Sequence, residues 1–106
     1  MGHYMFRASY TTEGMKGLMK EGAAARTDAV RGMVEKLGGR LEALYWAFGD
    51  DDVFVIVELP DSTTAAAVAT AVGVSGALTT STTVLITAAE MDAALKLDTG
   101  FRAPGA

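Results

Sequence analysis

The sequence predicts an α+β fold of βαββαβ order, and three observations predict it. Four stretches, His3 to Tyr10, Leu41 to Phe48, Val53 to Leu59 and Ala77 to Thr87, are rich in the β-branched and aromatic residues that suit extended chain. Two stretches between them read as helices, one from its i, i+3, i+4 apolar spacing and one from its run of alanine and valine. Clusters of glycine, proline and aspartate punctuate the boundaries.

The first strand ends at Thr11-Thr12, and either threonine can offer a side-chain oxygen to the free amides of the following helix, with Glu13 in its first turn. Met15, Leu18, Met19, Ala29, Val30, Met33, Val34 and Leu37 then keep helical steps, which predicts one helix closed by Gly38-Gly39. Gly14, Gly17 and Gly22 each weaken it by about 1 kcal/mol relative to alanine, so it needs tertiary contacts. Gly49-Asp50-Asp51-Asp52 joins the second and third strands as a hairpin turn. After Pro60, Asp61 or Ser62 caps a second helix running to about Val72, closed by Gly73 and Gly76. Its small side chains leave little bulk between it and whatever it packs on. A short helix over about Ala89 to Leu97 follows the fourth strand and leads to the tail, Asp98 to Ala106. One domain over residues 1–97 and a tail over 98–106 account for the whole length.

This order is the split-βαβ or ferredoxin-like arrangement, an antiparallel four-stranded sheet with both helices on one face and the other face bare. Along the third strand Val53, Val55, Val57 and Leu59 point one way, and Phe54 and Ile56 the other. In the second, Leu41, Ala43, Tyr45 and Ala47 alternate with Leu44, Trp46 and Phe48. A solvated face carries polar residues, whereas both of these are apolar. A bare face of that kind exceeds what a soluble monomer tolerates. The expectation is a homo-oligomer that buries it by self-association.

Composition excludes several classes. Half of the residues are hydrophobic and 21 % are charged, which is not the balance of a disordered chain. The longest apolar stretches, Ala43–Phe48 and Val53–Val57, fall far short of the ~20 residues that cross a bilayer, so no membrane partner is expected. The start, Met1 to Arg7, has neither the apolar run nor the cleavage site of a secretory signal. Cysteine is absent, which removes disulfides, thiolate metal sites and cysteine nucleophiles, and makes a cytoplasmic location the expectation. A net charge of −4 argues against nucleic acid. There is no dinucleotide fingerprint, phosphate loop, nucleophile elbow or H-E-x-x-H pair.

Three segments together resemble the GYD domain family of small bacterial proteins: Tyr10-Thr11-Thr12-Glu13-Gly14-Met15-Lys16-Gly17-Leu18, Leu37-Gly38-Gly39 and Phe48-Gly49-Asp50-Asp51-Asp52. The resemblance runs from about Tyr4 to Glu90 in the same element order. Its most specific part is the Gly-x-Tyr-Asp turn, where this chain has Gly49 and Asp52 but Asp51 in place of the tyrosine. The resemblance implies a ferredoxin-like fold of the kind found in dimeric α/β barrels. It implies no catalytic residues, since the family has no established activity.

Each candidate residue has a chemical reading and a structural one. His3, the only histidine, is a candidate haem or metal ligand because dimeric α/β barrels include haem proteins, but one imidazole without a ligand cluster points to an ordinary residue. No metal or cofactor is expected. Arg7 shares a strand face with His3, Met5 and Ser9, where it can meet Glu58 of the third strand and Ser81 or Thr83 of the fourth. It either binds an anion in a pocket under a partner subunit or forms a structural ion pair with Glu58; the pair is preferred, because no second basic residue lies near. Tyr45, Trp46 and Phe48 suit either a flat organic ligand or plain packing, and packing is the simpler reading. Asp50-Asp51-Asp52 lacks the spacing of a calcium loop and reads as turn chemistry, with Asp52 bonding back to turn amides. Thr79 to Thr83 either line a pocket or serve as good strand residues.

Three functions follow. The first is an oligomeric small-molecule-binding or assembly module, whose ligand Arg7, Tyr45, Trp46, Asp52, Glu58 and Thr83 would contact. The second is a small cofactor-independent or haem-dependent enzyme acting on an aromatic or acidic metabolite, with Arg7 orienting an anionic group and Glu58 as base. The third is a purely structural subunit. The absence of a catalytic constellation favours the first.

Overall fold

Tyr4, Phe6 and Ala8 alternate with Met5 and Arg7 along the first extended segment, and the computed structural model, which describes residues 1–106, places these two sets on opposite faces of one sheet. The elements are β1 (Gly2–Tyr10), α1 (Thr12–Glu21), α2 (Ala23–Lys36), β2 (Arg40–Trp46), β3 (Val53–Leu59), α3 (Ser62–Val74), β4 (Leu78–Leu85) and α4 (Ala88–Leu95). The chain is therefore α+β, with four helices and a four-stranded antiparallel sheet of order β2-β3-β1-β4. β1 lies between β3 and β4. No helix is long and apolar enough to cross a membrane.

The core is thin. Tyr4, Phe6, Val57 and Leu59 of the sheet meet Val34 of α2 and Ala65 and Val68 of α3. Val34, Val57 and Leu59 are fully enclosed, and each contributes roughly 1.5–3 kcal/mol of burial. Ala65 and Val68 keep α3 close to the sheet, as the small side chains of that helix predict.

Three local features position these elements. Thr11 caps α1 by accepting from the Gly14 amide (3.2 Å), while its hydroxyl donates to the Gly76 carbonyl (2.8 Å) and its own amide to Ala77 (2.9 Å). The start of α1 is thereby clamped onto the α3–β4 connection, and Gly14 lies so close that a Cβ there would overlap the Ala77 carbonyl oxygen. Gly38, with φ of 84°, closes α2: its amide donates to Glu35 (3.0 Å) and that of Gly39 to Val34 (2.9 Å), the paired bonds of a Schellman motif. Asp61 caps α3 by accepting from the Thr64 amide at 2.9 Å.

Two expectations need correction. The single long helix is two, because Gly22 adopts φ of 90°, outside helical space, and separates α1 from α2. Within β2 a bulge lies between Leu41 and Ala43, so the pairing skips Glu42. Leu41 consequently faces the core opposite Val57, with Leu44 and Trp46, rather than sharing a face with Ala43 and Tyr45. The strand and helix ends also move by a residue or more. Phe48 falls beyond β2 and is fully exposed, and Thr87 leaves β4 to cap α4.

Beyond Leu85 the chain leaves the body. Every residue from Ile86 to Ala106 is exposed, and the radius of gyration is 16.8 Å, against about 13 Å for a compact chain of this length.

Candidate ligand-binding site

The sheet face away from the core carries a polar network at one end. His3 on β1 and Glu58 on β3 are direct partners in the ladder, and Arg40 on β2 is opposite Glu58. The bulge brings Glu42 to the same place. The His3 Nδ1 lies 2.8 Å from Glu42 Oε1, and the Arg40 Nη2 lies 2.9 Å from Glu58 and 3.5 Å from Glu42. The donor atoms of His3, Glu42 and Glu58 fall within 4.8 Å of one another and are the one group that could hold a metal ion. Arg40 bridges both carboxylates, so the group also forms an ion-pair network of the chain's own side chains.

The expected Arg7–Glu58 pair is not formed. Antiparallel register puts Arg7 opposite Phe54 and Ser81, several residues along the strand from Glu58, which Arg40 holds instead. Arg7 reaches only Asp51, at 4.0 Å, and its Nε is buried without a hydrogen-bond partner. Thr83 lies opposite Met5, and Tyr45 opposite Phe54 with its ring exposed. Arg7, Tyr45, Glu58 and Thr83 thus share the bare face, strung along it rather than converging.

Asp52 lies elsewhere. Its carboxylate accepts from the Tyr10 amide at 2.8 Å, and its own amide donates to the Ala8 carbonyl at 2.8 Å. It bonds across to β1 rather than back into its turn, because β1 runs on past the start of β3 and Tyr10 has no β3 partner. This stitch fixes the Tyr10 ring, which stacks on Trp46 at 5.9 Å and an interplanar angle of 24°.

Tyr10 and Trp46 open onto the interior. Between the sheet and helices α2 and α3 lies a cavity of about 90 Å³, walled by apolar side chains such as Phe6, Val30, Leu44 and Val72. Its only charged lining residue is Arg26 of α2, with Tyr10 and Thr80 the other polar groups. A groove of about 350 Å³ between α1 and α3 shares Tyr10, Arg26 and Leu78 with it and has Glu13 and Glu21 along its wall. Burial pushes the Tyr10 phenol above its ordinary pKa of 10.0, against the nearby Arg26 guanidinium, which favours the phenolate. At neutral pH the site therefore offers a phenol O–H and a guanidinium, both able to donate to an acceptor. Of the residues singled out in the sequence as ligand-binding candidates, Trp46 lines it, as does Thr80 from the Thr79 to Thr83 run.

Arg26 was not legible as a site residue because it follows three alanines in a stretch that reads as a solvated helix. The signal was its spacing: residues 26, 30, 33 and 37 form one stripe, and the other three are Val30, Met33 and Leu37.

Residues 4–95 match the sequence model of the GYD domain. No curated protein matches the chain, and no solved structure does.

Proposed function

Since the chain belongs to the GYD domain family, we propose that it is a homo-oligomeric, ferredoxin-like, cytoplasmic module that binds a small apolar molecule with one anionic or hydrogen-bond-accepting end. The ligand sits between the sheet and the helices. One observation carries this reading: an apolar cavity whose single charge is Arg26, flanked by a neutral phenol. Apolar walls with a few convergent polar groups are the usual form of a small-molecule site. The enzyme reading is weaker because no carboxylate or imidazole lines the cavity to act as a base. Self-association is supported by the second sheet face, where Met5, Phe54 and Ile56 lie on the central strands, on the side away from the core, and are only half-buried. On this reading Arg7, Tyr45, Glu58 and Thr83 serve the assembly face, Trp46 the pocket wall, and Asp52 the stitch that holds Tyr10.

Native mass spectrometry of the protein as isolated tests both parts, through subunit number and retained mass. The sole tryptophan, Trp46, supplies a second readout. Benzoate and phenylacetate, as probes, should change its fluorescence saturably, and Arg26→Gln should weaken that response about tenfold or more. An unliganded spectrum together with an emission indifferent to every aromatic acid would end the binding reading.

A further inference from the structure

We infer that the C-terminal segment from Ile86 to Ala106 is an arm that packs against a second copy of the chain; this rests on the self-association proposed above. The arm is built to be helical. Thr87 and Glu90 form a reciprocal capping box, with the Glu90 amide donating to the Thr87 hydroxyl oxygen (3.2 Å) and the Thr87 amide to the Glu90 carboxylate (3.1 Å). Yet α4 has only 8 residues, all exposed. Isolated helices shorter than about 12–15 residues are marginal in water, so a helix of this length needs a surface to dock on.

Its side chains say what kind of surface. Met91 and Leu95, four residues apart, share one helix face, and Ile86, Leu97 and Phe101 flank them. Leu95 and Phe101 are 69 % and 81 % exposed. The body of the same chain does not cover them, and the area involved points to a second copy. A folded monomer of 11.0 kDa exposes about 5,600 Å², whereas this chain exposes 7091 Å². The excess is roughly 1,500 Å² per chain, or about 3,000 Å² for a pair, inside the range of roughly 2,000–5,000 Å² that obligate homodimers bury. A twofold pair satisfies both arms at once, because each chain supplies an arm and receives one.

The test is sedimentation equilibrium on three full-length proteins: the native chain, Met91→Glu/Leu95→Glu on the arm, and Ile56→Lys on the sheet face. The expected result is a native dimer and an arm variant whose dissociation constant rises at least 100-fold. A native dimer that the arm variant leaves unchanged, while Ile56→Lys dissociates it, overturns the arm and keeps the sheet-face association. A native chain that is monomeric at 100 μM overturns both. Should the arm variant lose its fold, the cysteine-free sequence allows Leu95→Cys to be labelled with benzophenone maleimide and irradiated in a mixture of ¹⁴N and ¹⁵N chains. Mixed-isotope cross-links support the arm. Cross-links confined to one chain, or none, refute it.

Discussion

Gly14 and Gly17 stand one turn apart in α1 and should respond to alanine with opposite signs. Alanine is favoured over glycine inside a helix by about 1 kcal/mol, because glycine loses more backbone freedom on folding. At Gly17 nothing lies within 4 Å of the added methyl, so Gly17→Ala should stabilise by up to about 1 kcal/mol. At Gly14 the new Cβ would overlap the Ala77 carbonyl, which is backbone and already accepts from the Thr11 amide at 2.9 Å. The methyl can be accommodated only by moving α1 off the α3–β4 connection. Overpacking of that kind costs about 1–3 kcal/mol, and loss of the Thr11–Ala77 bond adds about 1 kcal/mol. The net expectation for Gly14→Ala is a loss of about 1–3 kcal/mol, so the two variants should differ by about 2–4 kcal/mol.

Urea unfolding followed by far-ultraviolet circular dichroism measures this directly, with all proteins at one concentration because association raises apparent stability. In thermal scans each kcal/mol corresponds to about 4–8 °C for a domain of this size. If Gly14→Ala proves as stable as Gly17→Ala, the clamp between α1 and the α3–β4 connection is not the contact described above.

Further expectations concern Asp52, Tyr10 and Asp61. Asp52→Ala leaves the Tyr10 amide without its acceptor and should cost about 1–3 kcal/mol in urea unfolding, whereas Asp52→Asn keeps an acceptor and should cost less. The Tyr10 phenol should ionise above 10.0, as a late component of the absorbance titration near 295 nm that Tyr10→Phe removes. Because the folded value is the higher one, its contribution to stability is complete below 10.0 and is lost as pH rises through the folded value. Asp61 has the opposite sign. The Thr64 amide and hydroxyl hold its carboxyl below the ordinary 3.8, so its contribution is present above 3.8 and lost as pH falls through the folded value. Asp61→Asn should flatten the acid limb of a plot of urea midpoint against pH, and an unchanged limb would count against the cap.

Local patterns carried most of the fold. The third strand was legible residue for residue because its valines alternate without interruption between two turn signals, and Gly38-Gly39 announced the end of α2 because glycine closes a helix without a steric penalty. Gly22 was legible as a weak point but not as a break, since the same residue is tolerated inside a helix when its φ stays negative. The bulge at Glu42 was invisible, because one extra residue in a strand leaves no mark on composition yet turns Leu41 to the other face. The site depends most on such long-range geometry. Pairing Arg7 with Glu58 required the register, and the register delivered Glu58 to Arg40 instead. Tyr10 closes the first strand as the sequence predicts, but its role depends on Trp46 and Arg26, which come from two other elements.

The sheet order has a kinetic consequence. Strands β2 and β3 are joined by a short turn and can find each other quickly, whereas the central strand β1 pairs on one side with β4, which lies beyond every other strand in the chain. Until β4 arrives, one flank of β1 has no ladder partner. The strand that completes the sheet is also its most hydroxyl-rich, with Thr79 to Thr83 in an unbroken polar run, and Thr80 donates to the Arg7 carbonyl at 3.2 Å once seated. A late-pairing strand of this composition is less prone to stray association while it waits than the valine-rich β3 would be in its place.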